Sequence, residues 1–335
     1  MRAPAKLRFN PKREPISYLV TGHWSPVTLF MSLLIVGSIA LDTVKTPVEE
    51  HTDLLGGSAS YAAAAASYFA PVRLVGVVGS DFPQSEFDFW KSRKIDTAGV
   101  QRVDGKTFRW SGEYAWDLNT RETRSVALNV FETFQPELPE SYRATDFVLL
   151  ANIAPALQAH VLSQMKKPRF VVADTMDLWI ETARQALDAL LPNVNLLILN
   201  DSEAREMTKE TSLIKAGRGI RKMGPRYVAI KKGEHGALLF GDDEFFSCGA
   251  YPLEDIHDPT GAGDTFAGGM AGYLAGTAGG KITFTALRKA MIYGSVLASF
   301  CVEAFSLEKL RSLTMDQINE RYEAFKMMSQ FEVVE

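Results

Sequence analysis

Short apolar runs alternate with helix-forming stretches along this chain, and that alternation limits its fold more than any other feature. The runs fall at residues 33–37, 72–79, 147–151, 170–174, 196–199 and 227–231. Each is rich in Val, Ile and Leu and lacks the polar alternation of a strand with one wet face. Each therefore reads as a parallel strand buried on both sides. Helices are expected at 58–70, 86–94, 156–165 and 180–190, then from Ser202 and from Ser212, and finally at 262–275 and 283–301. Strands that alternate with helices imply an α/β fold with a mostly parallel sheet covered on both faces. Residues 237–240 are expected to begin a hairpin at the end of the series.

One stretch breaks the rhythm. Thr107-Phe108-Arg109-Trp110-Ser111-Gly112-Glu113-Tyr114 alternates aromatic and polar residues, as a strand with one exposed face does. Residues 125–131 are the expected partner strand. We read this as a small antiparallel β lid, inserted near 43–55 and 104–131 of one domain that spans 31–335. Residues 1–30 carry Pro4, Pro11, Pro15 and Pro26 without a sustained period, and read as a poorly ordered extension. The apolar run 27–41 follows several basic residues, so a secretory signal is the alternative reading there. The βα pattern that follows favours a strand. No other run is long enough to cross a bilayer.

Composition narrows the function. Of 335 residues, 46% are hydrophobic and 23% charged, and the formal net charge is −4. No basic field exists to hold a polynucleotide. Only Cys248 and Cys301 are present, with no zinc or disulfide spacing, which fits a reducing, cytoplasmic compartment.

The chemistry concentrates in Asp258-Pro259-Thr260-Gly261-Ala262-Gly263-Asp264-Thr265-Phe266. Small residues let a backbone approach a ligand closely. A helix that starts after them would aim the amides of Gly261, Ala262 and Gly263 at an anion. Asp264, beside a transferring phosphate, is placed to take the proton of an attacking hydroxyl. As a helix start alone, Asp264 would be a first-turn carboxylate favoured by the dipole.

This string resembles the second signature of the ribokinase (PfkB) family of carbohydrate and nucleoside kinases. Leu55-Gly56-Gly57-Ser58-Ala59 and the following 75–81 resemble its first signature. Asn200-Asp201-Ser202-Glu203 is similar to its Asn-x-x-Glu element, and Lys232-Gly233-Glu234-His235-Gly236 to its phosphate-contacting turn. The resemblance implies a ribokinase-like, three-layer Rossmann-like fold and ATP-dependent phosphoryl transfer to the hydroxyl of a sugar. A nucleoside is the alternative acceptor, and a catalytically idle regulator the reading from another class. A dinucleotide oxidoreductase would need a Gly-x-Gly-x-x-Gly after the first strand, where Gly37-Ser38-Ile39-Ala40-Leu41-Asp42 stands instead.

Residue by residue, the resemblance makes Asp264 the general base and Gly261 to Gly263 the anion hole. It places Asp42, Gly57 and Tyr61 on the substrate side. Asn200, Glu203, Lys232, Gly233 and Gly236 fall on the nucleotide side, with Glu203 acting on Mg²⁺ through water. Asn200 and Glu203 are equally an N-cap with its capping-box glutamate. Lys231 or Lys232 reaches a phosphate or is merely solvated. Asp258 and Thr260 match a monovalent-cation site, usually for K⁺, or else brace their loop. Two positions depart from ribokinase-like members: Ala40 and Tyr61 stand where asparagines are usual. Both changes weaken the case for free ribose. Tyr61 and the lid aromatics Phe108, Trp110, Tyr114 and Trp116 could stack a base or cover a larger sugar, or simply pack. An exposed lid sheet would offer a homodimer contact.

Overall fold

The computed structural model describes residues 31–277 and 282–330. The expected extension at 1–30 lies outside the described residues. The chain begins with β1 (Leu33–Val36), β2 (Ala40–Lys45), β3 (Glu50–Gly56), α1 (Ser58–Ala66), β4 (Val72–Gly79), α2 (Gln84–Ser92) and β5 (Ile95–Val103). Next come β6 (Phe108–Tyr114), β7 (Arg121–Ala127), β8 (Phe147–Leu150), α3 (Pro155–Gln164), β9 (Phe170–Asp174), α4 (Asp177–Thr182) and α5 (Arg184–Leu190). Then follow β10 (Leu196–Asn200), α6 (Asp201–Thr208), α7 (Leu213–Arg221), β11 (Tyr227–Lys231), β12 (Ala237–Phe240) and β13 (Phe245–Cys248). The chain closes with α8 (Ala262–Thr277), α9 (Phe284–Cys301), α10 (Glu308–Ser312) and α11 (Met315–Met328).

The main sheet has nine strands in the order β13-β12-β11-β10-β9-β8-β1-β4-β5. Every pairing from β11 to β5 is parallel, and β12 and β13 add an antiparallel edge. All four residues of β1 have no exposed surface, as expected of a central strand covered on both faces. Leu33 and Ile35 face one apolar layer, with Ala62 of α1, Met270 of α8, Leu287 of α9 and Ile318 of α11. Leu34 and Val36 face the other, with Val161 of α3, Leu187 of α5, Ala204 of α6 and Ile220 of α7. Each fully buried Leu or Ile contributes roughly 1.5–3 kcal/mol to holding these three layers together.

The alanine run fills a tight seam. A Cβ on Gly268 of α8 would lie 2.3 Å from the Ala62 carbonyl oxygen, and one on Gly272 would lie 2.6 Å from the Ala66 Cα. Only residues without bulk allow α1 and α8 to meet this closely.

A second sheet, ordered β3-β2-β6-β7, stands where the sequence suggests a lid. Two antiparallel hairpins, β2–β3 and β6–β7, are joined by parallel pairing of β2 with β6. The partner of the aromatic strand is Arg121–Ala127, not the expected 125–131; residues 129–131 form a single 3-10 turn. Strand β7 is exposed along its whole length. Asp42 does not follow the first strand directly. It lies inside β2, so the lid itself carries it.

Candidate active site

The parallel strands end on one edge of the sheet, at Val36, Gly79, Leu150, Asp174, Asn200 and Lys231. Strand order reverses at β1: β4 and β5 lie to one side and β8 to β11 to the other. A reversal of this kind opens a crevice beyond the strand ends, where ligands bind in open α/β sheets. The termini of β9, β10 and β11, the start of α8 and the lid strand β2 all meet at that edge.

Helix α8 starts there as the sequence anticipates. Its first backbone bond runs from the Thr265 N–H to the Gly261 carbonyl at 2.8 Å, so the amides ahead of it belong to the open first turn. The Ala262 amide turns back to the Pro259 carbonyl at 3.3 Å, a long bond by the usual standard. Gly261 has φ +75°, and a Cβ there would sit 2.4 Å from the Tyr61 ring. Backbone strain and close approach both reserve this position for glycine.

That contact corrects the expectation for Tyr61. Its ring is 2% exposed and lies beneath Gly261, so it supports the loop and is not free to stack on a ligand. The lid aromatics also have protein partners. Phe108 stacks on Phe131, the Trp110 indole donates to Thr123 at 3.3 Å, and the Tyr114 hydroxyl bonds Thr260 at 3.1 Å. Trp116 stands apart, 88% exposed.

Asp264 sits partly exposed in the first turn of α8. Burial of the carboxyl pushes it up to about 7, with the Asp174 charge adding and the charges of Lys231 and Arg121 opposing. A carboxylate with that value is poised to exchange a proton near neutrality. Lys231, at the end of β11, is the residue that sequence reasoning left between two roles. It is not solvated: its ammonium lies 3.3 Å from an Asp174 oxygen and 3.0 Å from where a Gly263 Cβ would be. Burial works to lower its value, but the charges of Asp174, Glu203 and Asp264 outweigh that and raise it, so it stays charged. Lys231, rather than Lys232, is thus the cation at the helix tip. Asp174 itself was missed. It carries no motif, though it is a carboxylate ending a buried parallel strand, as Lys231 ends the next but one.

Asn200 and Glu203 form a full capping box on α6. The Asn200 side-chain oxygen accepts the Glu203 amide at 2.8 Å, and Glu203 accepts the Asn200 amide at 2.7 Å. Glu203 also accepts the Asn200 side-chain amide at 2.7 Å. Burial, more than the opposing Lys231 charge, brings its carboxyl up to about 7. Among the described residues no group of three or more His, Cys, Asp or Glu is gathered as a metal site would require. Gly233 and Gly236 form the tight turn after β11, both with positive φ.

Asp42 is 5% exposed, and its Oδ1 is buried without a hydrogen-bond partner. Burial drives its carboxyl up to about 8, helped by the charges of Asp258 and Asp264 and only partly opposed by the Gly57 and Trp110 amides. An orphaned buried carboxyl oxygen is costly unless a ligand completes it. Gly56 leaves room for this side chain, since a Cβ there would lie 1.9 Å from Asp42 Oδ2. Gly57, with φ +87°, packs on the Ser38 carbonyl and starts α1.

Asp258 braces its loop. It is fully buried, and its oxygens accept the Thr260 amide at 2.8 Å and the Ser306 amide at 3.2 Å. It thereby ties the loop before Gly261 to the segment after α9.

Comparisons with known proteins give the family. Residues 34–310 match the pfkB family of carbohydrate kinases. A cytidine kinase of Thermococcus kodakarensis is 31% identical over 255 residues, which is 73% of this chain and 90% of that protein. A ribokinase structure from Thermotoga maritima superposes with a TM-score of 0.70 at 18% identity, covering 88% of this chain and all of that one. A nucleoside kinase structure from Methanocaldococcus jannaschii gives 0.69 at 19% identity, covering 88% of this chain and 98% of its own. With a family match over most of its length and a phosphotransferase as a close relative, the chain belongs to the pfkB family of carbohydrate kinases.

Proposed function

We propose that this protein transfers a phosphoryl group from ATP to a hydroxyl of a sugar, free or as the sugar of a nucleoside. The observation that carries the reading is the meeting of Asp264, Lys231 and the Gly261 turn at one helix tip, near the Asp42 carboxyl with its unpartnered Oδ1. Asp42 would accept hydrogen bonds from acceptor hydroxyls, which supply what its Oδ1 lacks. Asp264 would take the proton of the attacking hydroxyl. The first-turn amides of α8 would hold the phosphoryl oxygens, with the long Ala262 bond to Pro259 the one most readily exchanged. Lys231 would neutralise charge on the moving group from below. The charge of Lys231 also keeps Asp264 from rising further, so base and clamp are adjusted together.

Mg²⁺ fits this donor set only as an ion brought by phosphate and held through water, with Glu203 the carboxylate on the nucleotide side. Its chemistry there is to neutralise the phosphate charge. Asp258 accepts one backbone amide on each oxygen and keeps a second lone pair on each, so a monovalent cation beside it would share the carboxylate with carbonyls of the same loops. A nucleoside is the first acceptor to try, because the relative with 31% identity is a cytidine kinase. The test supplies ATP and Mg²⁺ with nucleosides and sugars and follows ADP release. Acceptor-dependent ADP is expected, reduced roughly 10²- to 10⁴-fold by Asp264→Asn. Near-normal turnover in that variant would remove the base from the scheme.

A further inference from the structure

The lid carries a cation that the scheme above does not use. Arg121 begins β7 and pairs across the hairpin with Tyr114, whose hydroxyl touches Thr260, one residue before Gly261. Its guanidinium lies over the Trp110 ring, 5.4 Å from the centroid. Among the described residues it has no carboxylate within ion-pair distance, unlike Arg109 and Arg124 of the same sheet. The turn before it crosses to the nucleotide side, where the Asn119 side-chain amide donates to Glu234 at 3.2 Å. The Leu118 side chain packs beside Val44, Tyr114 and Phe305 at the base of the lid. This hairpin therefore spans the mouth of the crevice from Asp42's strand to the Gly233 turn.

We propose that Arg121 is a catalytic residue of the lid, one that contacts the transferring phosphoryl group opposite Lys231. The inference rests on the kinase reading. An Arg over an aromatic ring, with no carboxylate partner, has N–H groups available for phosphate oxygens. It is also close enough for its charge to hold down both the Asp264 carboxyl and the Tyr114 hydroxyl against the burial that raises them. Phosphoryl transfer spreads negative charge over three oxygens, and amides plus one lysine meet them from below only. Arg121 supplies the upper face.

Binding measurements test this without knowing the acceptor. ADP and a non-hydrolysable ATP analogue are titrated, with Mg²⁺, into wild type, Arg121→Ala and Arg121→Lys. Arg121→Ala is expected to weaken the analogue about 10-fold while leaving ADP unchanged, as loss of one charged hydrogen bond to the terminal phosphate would. Arg121→Lys should recover part of the loss. Strand β7 is exposed, so both variants should fold, with far-UV circular dichroism as the check. Equal weakening of both nucleotides, or none, overturns the proposal. If the wild type binds neither nucleotide, the kinase reading itself fails, and this inference fails with it.

Discussion

Replacing Asp42 by Asn should stabilise the empty protein, and more so as pH rises. The unfolded chain ionises this carboxyl near its ordinary 3.8, whereas the folded protein holds the proton up to about 8. Between those values the folded state binds the extra proton. Stability from this group is therefore complete below pH 4, falls as pH rises and is gone above pH 8. A gap of about four pH units, at about 1.4 kcal/mol each, sets a ceiling of about 5–6 kcal/mol. Structural relaxation and water entry reduce such ceilings, so about 3 kcal/mol is the expected change between pH 5 and pH 8.5. The assay is urea unfolding of wild type and Asp42→Asn at both pH values, with the difference between proteins taken at each. Effects of the amide itself, and of Glu203 and Asp264, are common to both pH values or both proteins and largely cancel. The variant's stability relative to wild type should rise by that margin from pH 5 to pH 8.5, and the variant should bind its acceptor poorly. A difference that stays constant with pH would refute the claim that Asp42 is a buried carboxyl awaiting a ligand.

The remaining expectations follow from the helix tip. In the kinase assay, kcat/KM should rise with pH along an acid limb centred near 7, the value to which burial lifts Asp264. Lys231→Met should move that limb to higher pH, because the lysine charge now holds Asp264 down, and should destabilise the fold by roughly 3 kcal/mol through the unpaired Asp174. Gly261→Ala should lose activity and about 2 kcal/mol of stability in thermal melts, since its φ of +75° and the Tyr61 ring both oppose a Cβ.

Much of this architecture was readable in the chain because its central strands are continuous apolar runs. The strands that escaped notice are the ones without that signature. β5, Ile95–Val103, lies at the sheet edge with half its residues open to water, and its Thr, Gly, Gln and Arg read as loop. β2 follows β1 after three residues, so the two fuse into one apolar stretch, and the strand that carries Asp42 went unseen. At the site, the helix start at Gly261-Ala262-Gly263-Asp264 was legible from its run of small residues before an apolar helix. Asp174 was not, because its value depends on Lys231, 57 residues away. Tyr61 was misjudged for a related reason. The sequence shows an aromatic beside a Gly-Gly element, but only the fold shows that Gly261 fills the space above its ring.

The seam between α1 and α8 limits how the enzyme can move. Gly268 and Gly272 rest directly on the backbone of Ala62 and Ala66, with no side chains between them to act as rollers. Helices in such contact slide past one another poorly, because any shift drives main chain into main chain. The helix that presents Asp264 is thereby fixed to the one that begins at Gly57. That leaves the two hairpins, whose strands carry Asp42 and Arg121, as the parts freer to shift relative to Asp264.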